Sequence, residues 1–148
     1  MLAVDGEGLR LIDPASGRST PLAFGLPEDE VVASLERLRG KAARGTNGEC
    51  GAGPLRYANW PDGLSLLFGD KHFAGWSLDK RAAGTITTMA GIGPGSRRSE
   101  LESAYAAKFM VTTIGTEFSA GKIGGVLDGA KPTARITVMW AGTTCIFR

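Results

Sequence analysis

Apolar and polar positions alternate with a period near two over most of this chain, in short runs interrupted by glycine, proline and aspartate. That is the pattern of half-buried antiparallel strands joined by tight turns. Residues 1–4 and 9–12 flank Asp5-Gly6-Glu7-Gly8 and predict an N-terminal β-hairpin, followed by an extended lead-in over 19–24. Strands are predicted at 55–60, 64–68, 73–78 and 85–89, and again at 110–114, 117–119, 123–127, 135–140 and 144–147. The period lengthens to a helical value twice. Pro27 at a first helical position, Glu28, Asp29 and Glu30 in a first turn, apolar Val31, Leu35 and Leu38, and then Arg37, Arg39, Lys41 and Gly40 at the far end predict one helix. A second is predicted from about Arg97, with Ser96 supplying the N-cap oxygen and with Tyr105 and Phe109 one turn apart on its apolar face. The polar, glycine-rich stretch 42–53 reads as a loop.

The chain also repeats itself. Phe68, Phe73, Gly75, Ile86, Thr87 and Met89 answer Phe118, Ile123, Gly125, Ile136, Thr137 and Met139 at a shift of fifty residues, while Gly25, Glu30, Val31 and Leu35 answer Gly95, Glu100, Leu101 and Tyr105 at seventy. The difference assigns twenty extra residues, Cys50 among them, to the first unit. The expected fold is α+β: two tandem helix-plus-antiparallel-sheet units over 25–90 and 91–148, with an N-terminal hairpin and lead-in over 1–24, sharing one compact domain.

A helix approached through Gly-x-x-x-x-Glu-apolar at 25–31 and 95–101, followed by an antiparallel sheet and duplicated, resembles the β-lactamase-inhibitory-protein-like architecture. Outer-membrane assembly lipoproteins of the SmpA/OmlA type carry a single unit of this kind. The chain is also similar to a family of small uncharacterised proteobacterial proteins that show Glu49-Cys50, Gly53-Pro54, Gly75-Trp76, Glu117-Phe118 and a terminal Cys145-x-Phe147-Arg148. The resemblance implies a sheet surface that grips another protein, in the cell envelope.

Composition narrows the chemistry. With 43% hydrophobic and 22% charged residues in 148, the chain is neither disordered nor membranous, and no apolar run nears the roughly 20 residues of a spanning helix. A net charge of +2 without a dense basic stripe argues against nucleic acid as partner. One histidine and two cysteines are too few for the usual zinc site of about four ligands. A nucleophile–base pair of Cys50 and His72 lacks a third group to orient the imidazole, and His72, beside Asp70 and Lys71, reads as surface. The acids at 28–30 read as helix-dipole partners, and Arg37, Arg39, Lys41 and Arg44 as a solvated helix end. No catalytic residue and no cofactor is expected, and the glycine pattern gives no dinucleotide fold.

Three sets of residues remain as candidates. Gly91-Ile92-Gly93-Pro94-Gly95-Ser96 joins a strand to a helix, so Ser96, Arg97 and Arg98 are an anion-binding candidate, although a dinucleotide fingerprint would need glycine at 96 and a P-loop lysine at 97. Cys50 and Cys145 are expected to form a disulfide, which implies an oxidising compartment such as the periplasm or envelope; two buried thiols in a cytoplasmic protein are the alternative. Met1 begins directly on a predicted strand, so the expectation is either a cytoplasmic protein or one whose leader has been removed. Trp76 and Trp140 are the candidate anchors for an unknown protein partner on an open sheet face, with core burial as the competing fate. The functional expectation is a non-enzymatic domain binding a protein or ligand; the alternative is a small enzyme or an anion-binding protein using the loop 91–96.

Overall fold

In the computed structural model, which describes residues 1–51 and 53–145, the fold is α+β and every named sheet pairing is antiparallel. Strands β1 (Leu2–Asp5), β2 (Gly8–Ile12) and β3 (Ser19–Ala23) form a three-stranded sheet. Helix α1 (Glu28–Arg39) precedes β4 (Ala43–Asn47), β5 (Leu55–Asn59), β6 (Leu64–Gly69) and β7 (His72–Leu78). Helix α2 (Arg98–Ala104) precedes β8 (Lys108–Thr112), β9 (Gly115–Ala120), β10 (Ile123–Leu127) and β11 (Ile136–Gly142). These eight strands make one sheet in the order β4-β5-β6-β7-β11-β10-β9-β8, so the two sets of four meet at β7 and β11 in the middle.

Residues directly opposite in a ladder share a sheet face, and this sorts the apolar positions. Leu64 opposes Leu78, Leu66 opposes Trp76, Phe68 opposes Phe73, and Trp76 and Leu78 oppose Ala141 and Met139 on β11. All are buried, and they form one core with Val31, Val32 and Leu35 of α1, Leu101 of α2, and Leu2, Val4, Leu9 and Leu22 of the small sheet. Helices and small sheet therefore cover one face of the large sheet. Trp76, fully buried, locks the layers together, because its indole N–H donates to the Asp5 carbonyl at 2.9 Å. Trp60, buried at the end of β5, donates likewise to the Gly40 carbonyl just past α1, at 3.0 Å.

Both helices are hung from the two central strands by the same backbone bonds. Gly25 N–H donates to Phe73 O at 2.8 Å, Phe73 N–H to Leu26 O at 2.8 Å, and Glu28 N–H to Lys71 O at 2.8 Å. Gly95 N–H donates to Ile136 O at 2.8 Å, Ile136 N–H to Ser96 O at 2.9 Å, and Arg98 N–H to Ala134 O at 2.8 Å.

Several expectations are corrected. Residues 85–89 form no strand: Thr87 makes only an isolated parallel bridge to Ala3, because β7 already has β6 on one side and β11 on the other. The fifty-residue shift does not relate equivalent places. Phe68 lies on β6, next to central β7, and pairs with Phe73, whereas Phe118 lies on β9, next to the β8 edge, and pairs with Gly125. Short alternating strands with interspersed glycines match one another at several shifts, and docking geometry, not residue identity, picks the right one. Residues 43–47, read as loop, are the polar edge strand β4, whose Ala-Arg-Gly-Thr-Asn carries no apolar alternation. Helix α2 stops at Ala104 and Tyr105 is extended, so Tyr105 and Phe109 do not share a helix face. Its N-cap position is Arg97, not Ser96; the Ser96 hydroxyl accepts from Gly93 N–H at 3.1 Å instead. The lead-in at 19–24 is a full strand, and of the strand expected at 144–147, residues 144 and 145 are not in a strand while 146–148 lie outside the described residues.

Candidate functional site

Among the described residues, the second face of the eight-stranded sheet carries neither helix nor small sheet. Read across the ladders, one row of opposed residues crosses every strand on this face: Ala43, Asn59, Ser65, Ser77, Trp140, Gly124, Ser119 and Lys108. Two aromatic rings belong to this face. Trp140 opposes Gly124, and a Cβ on that glycine would stand 2.6 Å from the indole Nε1 and 2.8 Å from Cε2. Tyr57 opposes Gly45, whose Cβ would stand 2.5 Å from the phenol oxygen and 2.7 Å from Cζ. Any side chain at 45 or 124 would displace these rings; glycine leaves the space in which each ring reaches over the neighbouring strand.

Beside Tyr57 runs a groove of about 340 Å³, with Ser65, Ser77, Leu67 and Val138 along it and Asn47, Asn59 and Thr144 at its side, and Trp140 follows Ser77 on the next strand. Among the described residues none that line it is charged. The Cys50–Cys145 disulfide, with Cα atoms 5.2 Å apart, closes one end, packed with Leu55, Leu67 and Tyr57 in a small cluster separate from the main core. Tyr57, Asn59, Ser65, Ser77 and Thr144 are all half-buried. Among the described residues none of their side chains has a hydrogen-bond partner, whereas Asn47 is engaged by Glu49 N–H and by Cys145 Sγ. These five neutral groups line one groove, are half-buried and are not used by other protein groups, so their hydrogen-bonding capacity is available to a ligand, and they are the feature of the face with chemical content.

The expected site residues divide sharply. Cys50 and Cys145 are joined as expected, which also removes the thiolate that a Cys50 nucleophile would require. Trp140 is half-buried on the open face. Trp76 is not a partner anchor: it points into the core because, like Leu66, it belongs to the opposite set of the alternation. Ser96, Arg97 and Arg98 offer no anion cradle. Every backbone N–H from 91 to 99 that exists is already spent, on Thr88 O, Thr88 Oγ1, Ser96 Oγ, Ile136 O, Gly93 O, Glu100 Oε1, Ala134 O and Pro132 O in chain order. Arg98 is committed to Glu102 and Ala130 and lies over the Phe109 ring, 3.8 Å from its centroid.

His72 is exposed, with Nδ1 2.7 Å from Asp70 O. The acids of α1 differ from one another. Asp29 is exposed, but Glu28 is buried and takes Arg44 Nη2 at 2.6 Å and Arg56 Nε at 2.9 Å. Arg44 is thus not a solvated residue of a basic run; the Glu28 carboxylate holds its guanidinium pKa above the ordinary value. Arg39 is likewise paired, with Asp62. A cleft of about 400 Å³ opens beside Glu28, Arg56, Lys71 and His72, and its one buried carboxylate is consumed by two arginines. Among the described residues no three metal-ligating side chains come together.

Tyr57, Asn59, Ser65 and Ser77 escaped the sequence reading. The signal was present in the alternation Arg56-Tyr57-Ala58-Asn59 and Leu64-Ser65-Leu66, but a small polar residue opposite a buried one is also what a plain solvated strand shows. Compared with family models, curated proteins and solved structures, the chain matches none of them.

Proposed function

We propose that this chain is a binding domain that presents the open face of its eight-stranded sheet to a protein or ligand, in an oxidising compartment such as the bacterial envelope. The observation that carries the reading is the open face itself, with Tyr57 and Trp140 reaching over glycines and a polar groove beside Tyr57. Eight paired strands hold these groups rigidly, which keeps the ordering cost of association low. The Cys50–Cys145 bond supports the compartment, since such bonds persist where thiols are not kept reduced.

The tandem-duplication reading belongs here too, in revised form. The matching backbone bonds at Gly25 and Gly95 support a correspondence of seventy residues at the helices and sixty-three at the central strands, from Phe73 to Ile136. The order of four strands followed by its mirror image is what duplication of one helix-and-four-strand unit would produce, which agrees with the duplicated helix-and-sheet architecture that the resemblance to β-lactamase-inhibitory proteins implies.

The test is photo-cross-linking in the producing cell, with a photoreactive residue placed at Ser65 or Ser77 on the open face and, separately, at Arg37 on exposed α1. Adducts confined to the open-face positions are expected. Adducts that form only from α1 refute the reading.

A further inference from the structure

We infer that the open face, from the groove beside Tyr57 across Ser77 to Trp140, takes an uncharged oligosaccharide, an inference that rests on the open-face reading above. Three features of the face select this chemistry. Among the described residues the groove has no charged lining residue, so an ionic ligand would lose its hydration with no counter-charge from them. Its walls carry hydroxyls and an amide without protein partners, on Asn59, Ser65, Ser77, Thr144 and Tyr57, groups that both donate and accept and so match the mixed character of a sugar hydroxyl. The rings of Tyr57 and Trp140 reach over Gly45 and Gly124 and are half-buried on this face, and the negative quadrupole of an aromatic ring suits the polarised C–H face of a pyranose.

Dimensions favour an oligomer over one sugar. Tyr57 is on β5 and Trp140 on β11, with β6 and β7 between them. Three strand intervals put the two backbones about 14 Å apart, so one ring cannot rest on both aromatics. The ligand would lie across the strands, along the row Asn59, Ser65, Ser77, Trp140. A peptide fits the site less well. The groove lies mid-sheet, where backbone N–H and C=O groups are paired on both sides, so no free edge is present for an added strand.

The experiment uses the full disulfide-bonded chain, labelled with nitrogen-15 and titrated with short soluble oligosaccharides of β-linked N-acetylglucosamine, β-linked glucose and α-linked glucose. Trp60 and Trp76 are buried core residues, so the Trp140 indole N–H is the one expected to shift saturably, at sugar concentrations in the millimolar range or below. Trp140→Ala and Ser77→Arg should each weaken binding about tenfold or more, while Met110→Ala, remote on β8, should leave it unchanged. Ser77→Arg carries the test alone if Trp140→Ala proves unstable. Absence of a saturable shift at Trp140 with all three sugars, or binding indifferent to Ser77→Arg, overturns the inference. A shift produced by an uncharged extended peptide and by none of the sugars also overturns it. Open-face cross-links that persist without sugar binding would leave the broader reading standing and remove only this one; loss of both would remove both.

Discussion

Replacing Trp76 with alanine should be among the most damaging single changes to this protein, and replacing Trp140 among the mildest for a residue of that size. Trp76 is fully buried between the sheets, and its indole N–H is the bond that ties Asp5 O of the small sheet to β7. Truncating a buried tryptophan costs about 3–5 kcal/mol in lost transfer energy and residual cavity, and stranding the Asp5 carbonyl adds about 1 kcal/mol or more. The sum, about 4–6 kcal/mol, is a large share of the 5–15 kcal/mol typical of a whole domain. At about 2–4 °C per kcal/mol for a chain of this length, the melting midpoint should fall by roughly 10–20 °C. Trp76→Phe separates the two contributions: it keeps most of the packing, loses the donor, and should cost about 1–3 kcal/mol. Trp140→Ala removes a ring already half in solvent and should cost about 1 kcal/mol. Urea unfolding with the disulfide intact, comparing midpoints at constant slope, reads all three. If Trp76→Ala and Trp140→Ala agree within about 1 kcal/mol, the assignment of the two tryptophans to opposite faces is wrong.

Reducing the Cys50–Cys145 bond, which spans 95 residues, should cost about 4–5 kcal/mol in the chain-entropy account; unchanged urea midpoints with and without reductant would contradict it. Gly124→Val should stand the Trp140 ring off β10 and raise the exposure of its indole to acrylamide quenching, with Gly124→Ala intermediate; unchanged quenching would show that the ring does not rest on that glycine. The Asp79 carboxyl is held below its ordinary value of 3.8, first by the Arg81 side chain and then by the Arg81 backbone N–H. Because the folded value is depressed, the stabilisation this gives is present above pH 3.8 and lost as pH falls through the folded value, and it is small because the pair is well exposed. Carbon-13 titration of the folded protein should find Asp79 still ionised where an unfolded aspartate is half protonated, and Arg81→Ala should raise it toward the ordinary value while the backbone N–H of residue 81 keeps part of the depression.

Much of this architecture is legible in the chain because the deciding physics is local. Glycine and proline place the turns, and Pro27 with the acids behind it starts α1 whatever α1 packs against. Period-two alternation marks Leu64-Ser65-Leu66 and Ser77-Leu78 as strands with two unlike faces. Two cysteines in an otherwise cysteine-free chain point to their own pairing.

What the chain does not settle locally is which strand neighbours which, and hence which unlike face is covered. Residues 85–89 have as good a strand pattern as 135–140, yet only the second becomes one, since a strand needs a free ladder beside it and β11 occupies the place next to β7. Trp76 and Trp140 are both aromatic residues on alternating strands. They part company because Trp76 opposes Leu66 and Ala141 on the face packed by α1 and the small sheet, while Trp140 opposes Ser77 and Gly124 on the face left open. Glu28 shows the same limit. Its sequence position says helix dipole, but β4 and β5 bring Arg44 and Arg56 onto it and make it a buried ion cluster. The groove is the extreme case, since Asn59, Ser65 and Ser77 sit on three different strands and Thr144 on the segment after a fourth. Nothing along the chain relates these residues to one another, because a sheet face is assembled by register between strands, and register is fixed only when every strand has found its partner.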